Sequence, residues 1–459
     1  MKGSVATASF NEIMSIAGNG KATFGGTKTV EVSFTAKMLP NGRFEGELVF
    51  PTDFLEDFMG FSSSGEITVF DFDGSSTLSG QETATSMRTC FLTSFESSMG
   101  EAVSLKSGFV AQEVIFQKDS EETKPTGRVL IGFELVNVFE TFRVILNTDL
   151  GQLTLRNSKD MKALEKTMET YGAPMVSAQA LLETRLDGSR SLGNVLNQAT
   201  ELIERLLRIT SLAQGSWHTW VAVSVYKEGG PEDGFERLYL KTRYPKLKRP
   251  SHRSITNVAH SSYFIQSAWN GYSSEEVKKY GYDVALEWYN EANSAGVLES
   301  KFLNATTCLE LMMDRYANVA GNEFYLTEGN FSTLKGRLES EATTWAKANG
   351  VNEEDSKGLR DNLNGLNRRS YSRKAKALLA FWRVKYDNLG VGIRDIVMVR
   401  NEITHTGGIL AGDKQDRLFS TFQALMMILV RVFLAILRYE GQYFDWVRQD
   451  FVDFATVRE

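Results

Sequence analysis

The stretch VRNEITHTGGI, residues 399–409, sets Arg400, Asn401 and His405 within six positions of a chain that has only four histidines. Arginine, a side-chain amide and imidazole together suit one metal-free reaction, the cleavage of an RNA phosphodiester. The ribose 2′-OH attacks its own phosphate once a base removes its proton. An arginine can hold the phosphate oxygens through paired N–H donors and stabilise the charge they gain in the transition state. A histidine can withdraw or deliver the proton near neutral pH. The amide can orient the imidazole. A second reading stays open, in which His405 is an ordinary helix-end histidine and Arg400 a surface cation.

The elements around the stretch decide how these groups can meet. GIRDIVMVRNEITHTGG (392–408) predicts a short helix stopped by Gly407 and Gly408. His405 then falls in the last turn, where free carbonyls favour positive charge. Asn401 and His405 are four residues apart and share a face. Arg394 lies three turns before His405 on the same side. Arg400 sits about 140° around the helix from His405, so one straight helix does not bring the pair fully together. A second copy facing the first across a two-fold axis would close the gap, and the spacing therefore points to a homodimer with a composite site.

The 459 residues carry a net charge of −6 and predict more than one domain. Residues 1–150 hold 11 Lys and Arg against 20 Asp and Glu, leaving a mildly basic remainder. Seventeen of the 29 phenylalanines and none of the seven tryptophans fall in that first stretch. Segments such as TVEVSFTA, RFEGELVF, EITVFDF, MRTCFLTSF, GFVAQEVIFQ and GRVLIGFELVNVF read as short strands separated by turn residues. They predict an acidic, antiparallel β-rich module over 1–150, as a sandwich or a barrel. Residues 151–255 read as mixed: a helix over 191–213, a strand pair around GGPEDG, and a basic connector over 241–253. From 256 to 459 the periodicity is helical and predicts a bundle of five or six helices, with Ser274 as a helix cap. The fold class is thus multidomain α+β. Cys90 and Cys308, the two cysteines, fall in what read as different domains and suggest no disulfide framework, and with four scattered histidines they offer no zinc-ligand spacing. No cofactor and no metal are expected. The N-terminus lacks a continuous apolar core of signal-peptide length, and the apolar run 422–437 is short for a membrane span and reads as a buried bundle helix. A cytoplasmic protein with no membrane partner is the expectation.

The R-N-E-I-T-H motif, in a short helix ahead of a long apolar helix, resembles the signature of the HEPN domain. That signature is an arginine, four to six residues, then a histidine, with a polar residue after the arginine. The resemblance covers roughly residues 256–450, and the layout with a β module ahead is similar to that of ApeA-like anti-phage proteins. It implies a metal-independent endoribonuclease acting as a homodimer in abortive infection, with tRNA or another cellular RNA as substrate. It gives Arg400, Asn401 and His405 the catalytic roles and makes Glu310 the candidate acid on an earlier helix. The position two residues after the histidine, a tyrosine in one nucleotidyltransferase-paired branch, is Gly407 here. Restraint of such an enzyme would fall to the β module, as sensor of a phage-derived protein.

Residues 357–385 hold nine Lys and Arg against one acid, Asp361, with Tyr371, Phe381 and Trp382 interleaved. This run makes Arg368, Arg369, Arg373 and Lys374, with Arg394, the candidate RNA contacts; a solvated helix face with Phe381 and Trp382 in the core is the other reading. Arg431 interrupts the apolar helix and must snorkel, pair with a buried acid, or face a cleft. The competing functional reading is a non-catalytic bundle that binds RNA, a nucleotide or a protein.

Overall fold

The computed structural model describes residues 15–39, 42–51, 69–78, 81–98, 104–118, 122–138, 143–157, 176–228, 235–243, 253–294, 296–406 and 413–458. The GGPEDG turn, the connector core 244–252, the start of EITVFDF and the Gly407–Gly408 stop lie outside these residues. The chain divides into two compact units: residues 1–252 with 257–266, and residues 253–256 with 267–459.

The first unit is antiparallel β structure. Strands β1 (Ser15–Phe24), β2 (Lys28–Met38), β3 (Phe44–Phe50), β4 (Val69–Leu78), β5 (Gln81–Ser98) and β6 (Ser104–Ala111) run in the order β4-β1-β2-β3-β6-β5, and β4 also pairs with β5. Closing the ring removes the free edges that an open sheet would expose. Alternate side chains point inward, and the interior is built largely of phenylalanine: Phe24, Phe34, Phe44, Phe50, Phe70, Phe72 and Phe109 are all buried. Of the sandwich and the barrel, the barrel is the one formed. Glycines make the closure possible. Gly20 faces Gly74 across β1 and β4, and a Cβ on Gly20 would lie 2.4 Å from the Asp73 carbonyl oxygen.

GFVAQEVIFQ is not one strand. It bends at Gln112 into β6 and β7 (Glu113–Gln117), and there the sheet leaves the barrel. It continues as β7-β13-β12-β8-β11-β10-β9, built from β8 (Thr126–Val136), β9 (Val144–Thr148), β10 (Gly151–Asn157), β11 (Val176–Asp187), β12 (Thr219–Glu228) and β13 (Phe235–Arg243). The strands on either side of residue 150, β9 and β10, are hydrogen-bonded neighbours. Helix α1 (Leu192–Gln214) starts at a Ser191 cap and is tied to β12 and β13 through Glu204, which accepts from Trp220 Nε1 and Arg243.

The second unit is helical: the end of α2 (Val258–Gly271), then α3 (Ser274–Lys279), α4 (Tyr282–Ser294), α5 (Leu298–Ala320), α6 (Glu328–Ala348), α7 (Glu353–Asn362), α8 (Tyr371–Phe381), α9 (Ile393–Thr406) and α10 (Asp413–Ile436). The cap of α3 is Ser273 and not Ser274: the Ser273 hydroxyl accepts from the Glu276 N–H. The chain turns between α3 and α4 at Gly281, whose φ of +66° only glycine adopts without strain. Helix α5 packs against α4, α8, α9 and α10 and is the centre of the unit. Helix α10 is long and apolar enough to cross a membrane, yet most of it is buried inside this unit. Within it Arg431 is fully buried and takes the paired option. It donates to Tyr443 Oη, Asn388 Oδ1, the Lys385 carbonyl and Asp445 Oδ2, the last at 2.9 Å. Tyr443 and Asp445 belong to a terminal hairpin, β14 (Gln442–Asp445) and β15 (Asp450–Asp453), which the helical periodicity did not anticipate.

Candidate functional site

Three helices of the second unit converge on Arg400. Glu310 lies midway along α5, where the apolar face of CLELMMD packs inward and leaves this carboxylate at the rim. Its Oε1 pairs with Arg400 Nη2 of α9 at 2.7 Å. Each side chain keeps about a third of its surface in water, 35% for Arg400 and 32% for Glu310. The guanidinium therefore keeps donors that face outward. Burial pushes the Glu310 carboxyl above its ordinary range, and the neighbouring Arg400 only partly offsets it. Tyr371, the first residue of α8, lies on the other side, with the Arg400 guanidinium 5.8 Å from its ring centre. The Tyr371 hydroxyl is enclosed and has no hydrogen-bond partner among the described residues. Burial, and then the Glu310 charge, raise it well above the usual phenol range.

A second ion pair runs parallel to the first. Asp314 is one turn after Glu310 on α5, and Lys374 is one turn after Tyr371 on α8. Their charged atoms are 2.9 Å apart, and Lys374 is only 16% exposed. The four residues repeat the helical i, i+3 and i, i+4 spacings on facing helices, so two carboxylates of α5 meet one cation from α8 and one from α9.

The other motif residues stand apart from this cluster. Asn401 and His405 are exposed, and neither side chain makes a hydrogen bond among the described residues. The expected Asn401–His405 contact is not formed. The Thr404 hydroxyl instead donates back to the carbonyls of Arg400 and Asn401. Glu402 pairs with Lys414, which fastens α9 to the start of α10. Arg394 is exposed on the first turns of α9. Within the chain, then, Arg400 is held by Glu310 and His405 makes no side-chain contact among the described residues. What the cluster can do chemically follows from that: a half-exposed guanidinium of fixed position can receive a phosphate, while proton transfer would fall to an exposed imidazole.

The basic run splits in the same way. Arg368 and Arg373 are exposed, and Arg369 donates through Nε to the Phe324 carbonyl. Lys374 is engaged by Asp314. Phe381 and Trp382 join Tyr280 and Tyr316 in an aromatic cluster, with Phe381 at its solvent edge. Sequence reasoning missed three members of this neighbourhood: Asp314, Tyr371 as a neighbour of Arg400, and Tyr325. The i, i+4 repeat of Glu310 and Asp314 was the available signal.

Two other histidines lie among the described residues: His260 is exposed in the first turn of α2, and His218 forms no site. His218 is buried, its Nδ1 lies 2.8 Å from the Thr210 hydroxyl, and burial pushes its pKa down to about 3. Cys90 and Cys308 are buried free thiols, both raised by burial. Among the described residues no three His, Cys, Asp or Glu side chains converge as metal ligands do. Comparison of the chain with protein-family models, with curated proteins and with solved structures gives no match.

Proposed function

We propose that the second unit is a HEPN-like endoribonuclease that works as a homodimer without a metal. The observation that supports this most is the pairing of a fixed, half-exposed Arg400 with an unpartnered His405 five residues later on the same helix. Glu310 and Tyr371 hold the guanidinium in place before substrate arrives, so little ordering is left to do when a phosphate binds. In a dimer that sets two α9 helices face to face, His405 of each copy would complete the site of the other. An imidazole would take the 2′-OH proton as the 2′-oxygen attacks phosphorus, and an imidazolium would give a proton to the 5′-oxygen as the P–O5′ bond breaks. Arg400 would stabilise the pentacoordinate phosphate, and Asn401 would orient the histidine. Products would carry 2′,3′-cyclic phosphate and 5′-OH ends. The substrate in this reading is tRNA or another cellular RNA. The setting is abortive infection in the cytoplasm, with the acidic β unit restraining the nuclease until a phage-derived protein binds it.

One observation favours a second reading, a bundle that binds RNA, a nucleotide or a protein without turnover. The Glu310–Arg400 pair ties α9 to α5, which is what a purely structural pair would do. Incubating the purified chain with total tRNA in EDTA, beside Arg400→Ala and His405→Ala, separates the two. Loss of cleavage by roughly a hundredfold or more in both variants supports the enzyme. His405 is exposed, so its replacement should leave the fold intact. Wild-type activity in either variant, or activity abolished by EDTA, overturns the proposal.

A further inference from the structure

Beside the Arg400 cluster lies a surface whose construction neither the motif nor the basic run describes. The segment after α5 and the segment before α8 pair as a short antiparallel bridge between Phe324 and Arg368. The Tyr325 N–H donates to the Asn367 carbonyl, and the Arg369 N–H donates to the Glu323 carbonyl. The buried Asn367 side chain closes the pairing: its Oδ1 accepts from the Leu326 N–H at 2.8 Å and its Nδ2 donates to the Leu326 carbonyl. Tyr325 is thus held by backbone bonds on both sides, yet 43% of it is in water. None of these bonds uses its side chain. The backbone bonds thus fix the position of a large aromatic ring that stays partly open to solvent.

Two guanidiniums approach that ring. Arg373 lies 5.3 Å from its centre and Arg369 5.6 Å. Arg368, on the same bridge, is exposed. Arg368 and Arg373 have no carboxylate partner among the described residues, whereas Lys374, the next residue of α8, is taken by Asp314. Glu323 is the one acid of the bridge segment, so the local balance is positive. Helix α8 contributes Arg373 to this patch and Tyr371 to the Arg400 cluster, so the two share one helix start.

The geometry points to a platform for a single-stranded RNA: one unpaired base stacks on Tyr325, and its flanking phosphates bind Arg369, Arg373 and Arg368. Every nucleobase has a face to stack, and a ring held in place costs little ordering. A duplex keeps its bases stacked inside and cannot offer one. The inference rests on the endoribonuclease reading and narrows it: the substrate strand is unpaired next to the bond that is cut.

The test measures binding of the full-length chain to a fluorescein-labelled, 2′-O-methylated ten-nucleotide strand, which 2′-OH chemistry cannot cleave. The same strand annealed to its complement serves as the duplex. The wild type should bind the single strand more tightly than the duplex. Tyr325→Ala should weaken single-strand binding by roughly 5- to 150-fold with an unchanged salt slope, and Tyr325→Phe should restore it. Arg373→Gln should lower the slope of log K against log salt by about 0.7. Equal binding by Tyr325→Ala, equal affinity for the duplex, or no binding by the wild type overturns the platform. The nuclease reading fails separately, when the wild type binds as expected and leaves an unmodified strand uncut in EDTA.

Discussion

Replacing Asp445 by asparagine should destabilise the helical unit more than any exposed substitution in it. Arg431 and Asp445 are both fully buried, and the pair joins α10 to the terminal hairpin. Arg431 uses four donor contacts, to Tyr443, Lys385, Asn388 and Asp445. Asparagine keeps an acceptor for the Val447 and Arg448 N–H groups that Asp445 Oδ1 now holds. What Asp445→Asn removes is the charge and the Oδ2 acceptor of Arg431, leaving an amide donor against the guanidinium. A buried guanidinium without its counter-charge costs about 3–5 kcal/mol. For a domain of this size each kcal/mol moves Tm by about 2–4 °C, so a drop of roughly 6–20 °C is expected. Far-ultraviolet circular dichroism during heating reads it. Arg431→Met with Asp445→Leu removes both charges and should lie closer to the wild type than Asp445→Asn does. A shift under about 2 °C for Asp445→Asn, or a double variant that loses the sum of the single losses, would refute the reasoning.

Burial pushes the Glu134 carboxyl up to about 7, although Gln179 donates to it at 2.7 Å. Between its ordinary value of 4.5 and about 7 the folded state holds the extra proton, so stability falls as pH rises through that window. The loss is about 3 kcal/mol by the upper end. Glu134→Gln should flatten this slope and raise Tm at about pH 8 but not at about pH 4, and an unchanged slope would count against it. Cys90 and Cys308 should resist iodoacetamide in the folded chain and react once it is unfolded, as mass spectrometry would read; rapid native labelling would contradict their burial.

The strands of the first unit were legible because Phe, Val and Thr alternate with polar residues between clear turn signals. Their closure was not. The pairing of β4 with β1 is non-local, and nothing in the spacing of Gly20 and Gly74 says that they face each other. Helix α7 escaped notice because EEDSKGLRDN buries no residue and so carries no apolar stripe. The terminal hairpin escaped because strands of four residues are too short to show alternation. Arg431 could be seen as anomalous within its helix, but its partner lay beyond the helix end. At the candidate site, helical spacing put Arg400 and His405 on different sides of α9, and in the structure they make no contact. The spacing could not reveal that Tyr371 and Glu310 flank the guanidinium, because those neighbours come from helices whose packing is set elsewhere.

End-group analysis of RNA cut by the purified wild-type chain in EDTA tests the proposed chemistry most directly. Fragments with 2′,3′-cyclic phosphate and 5′-OH ends, absent from the His405→Ala reaction, are the predicted result. Intact RNA, or fragments with 5′-phosphate and 3′-OH ends, would contradict it.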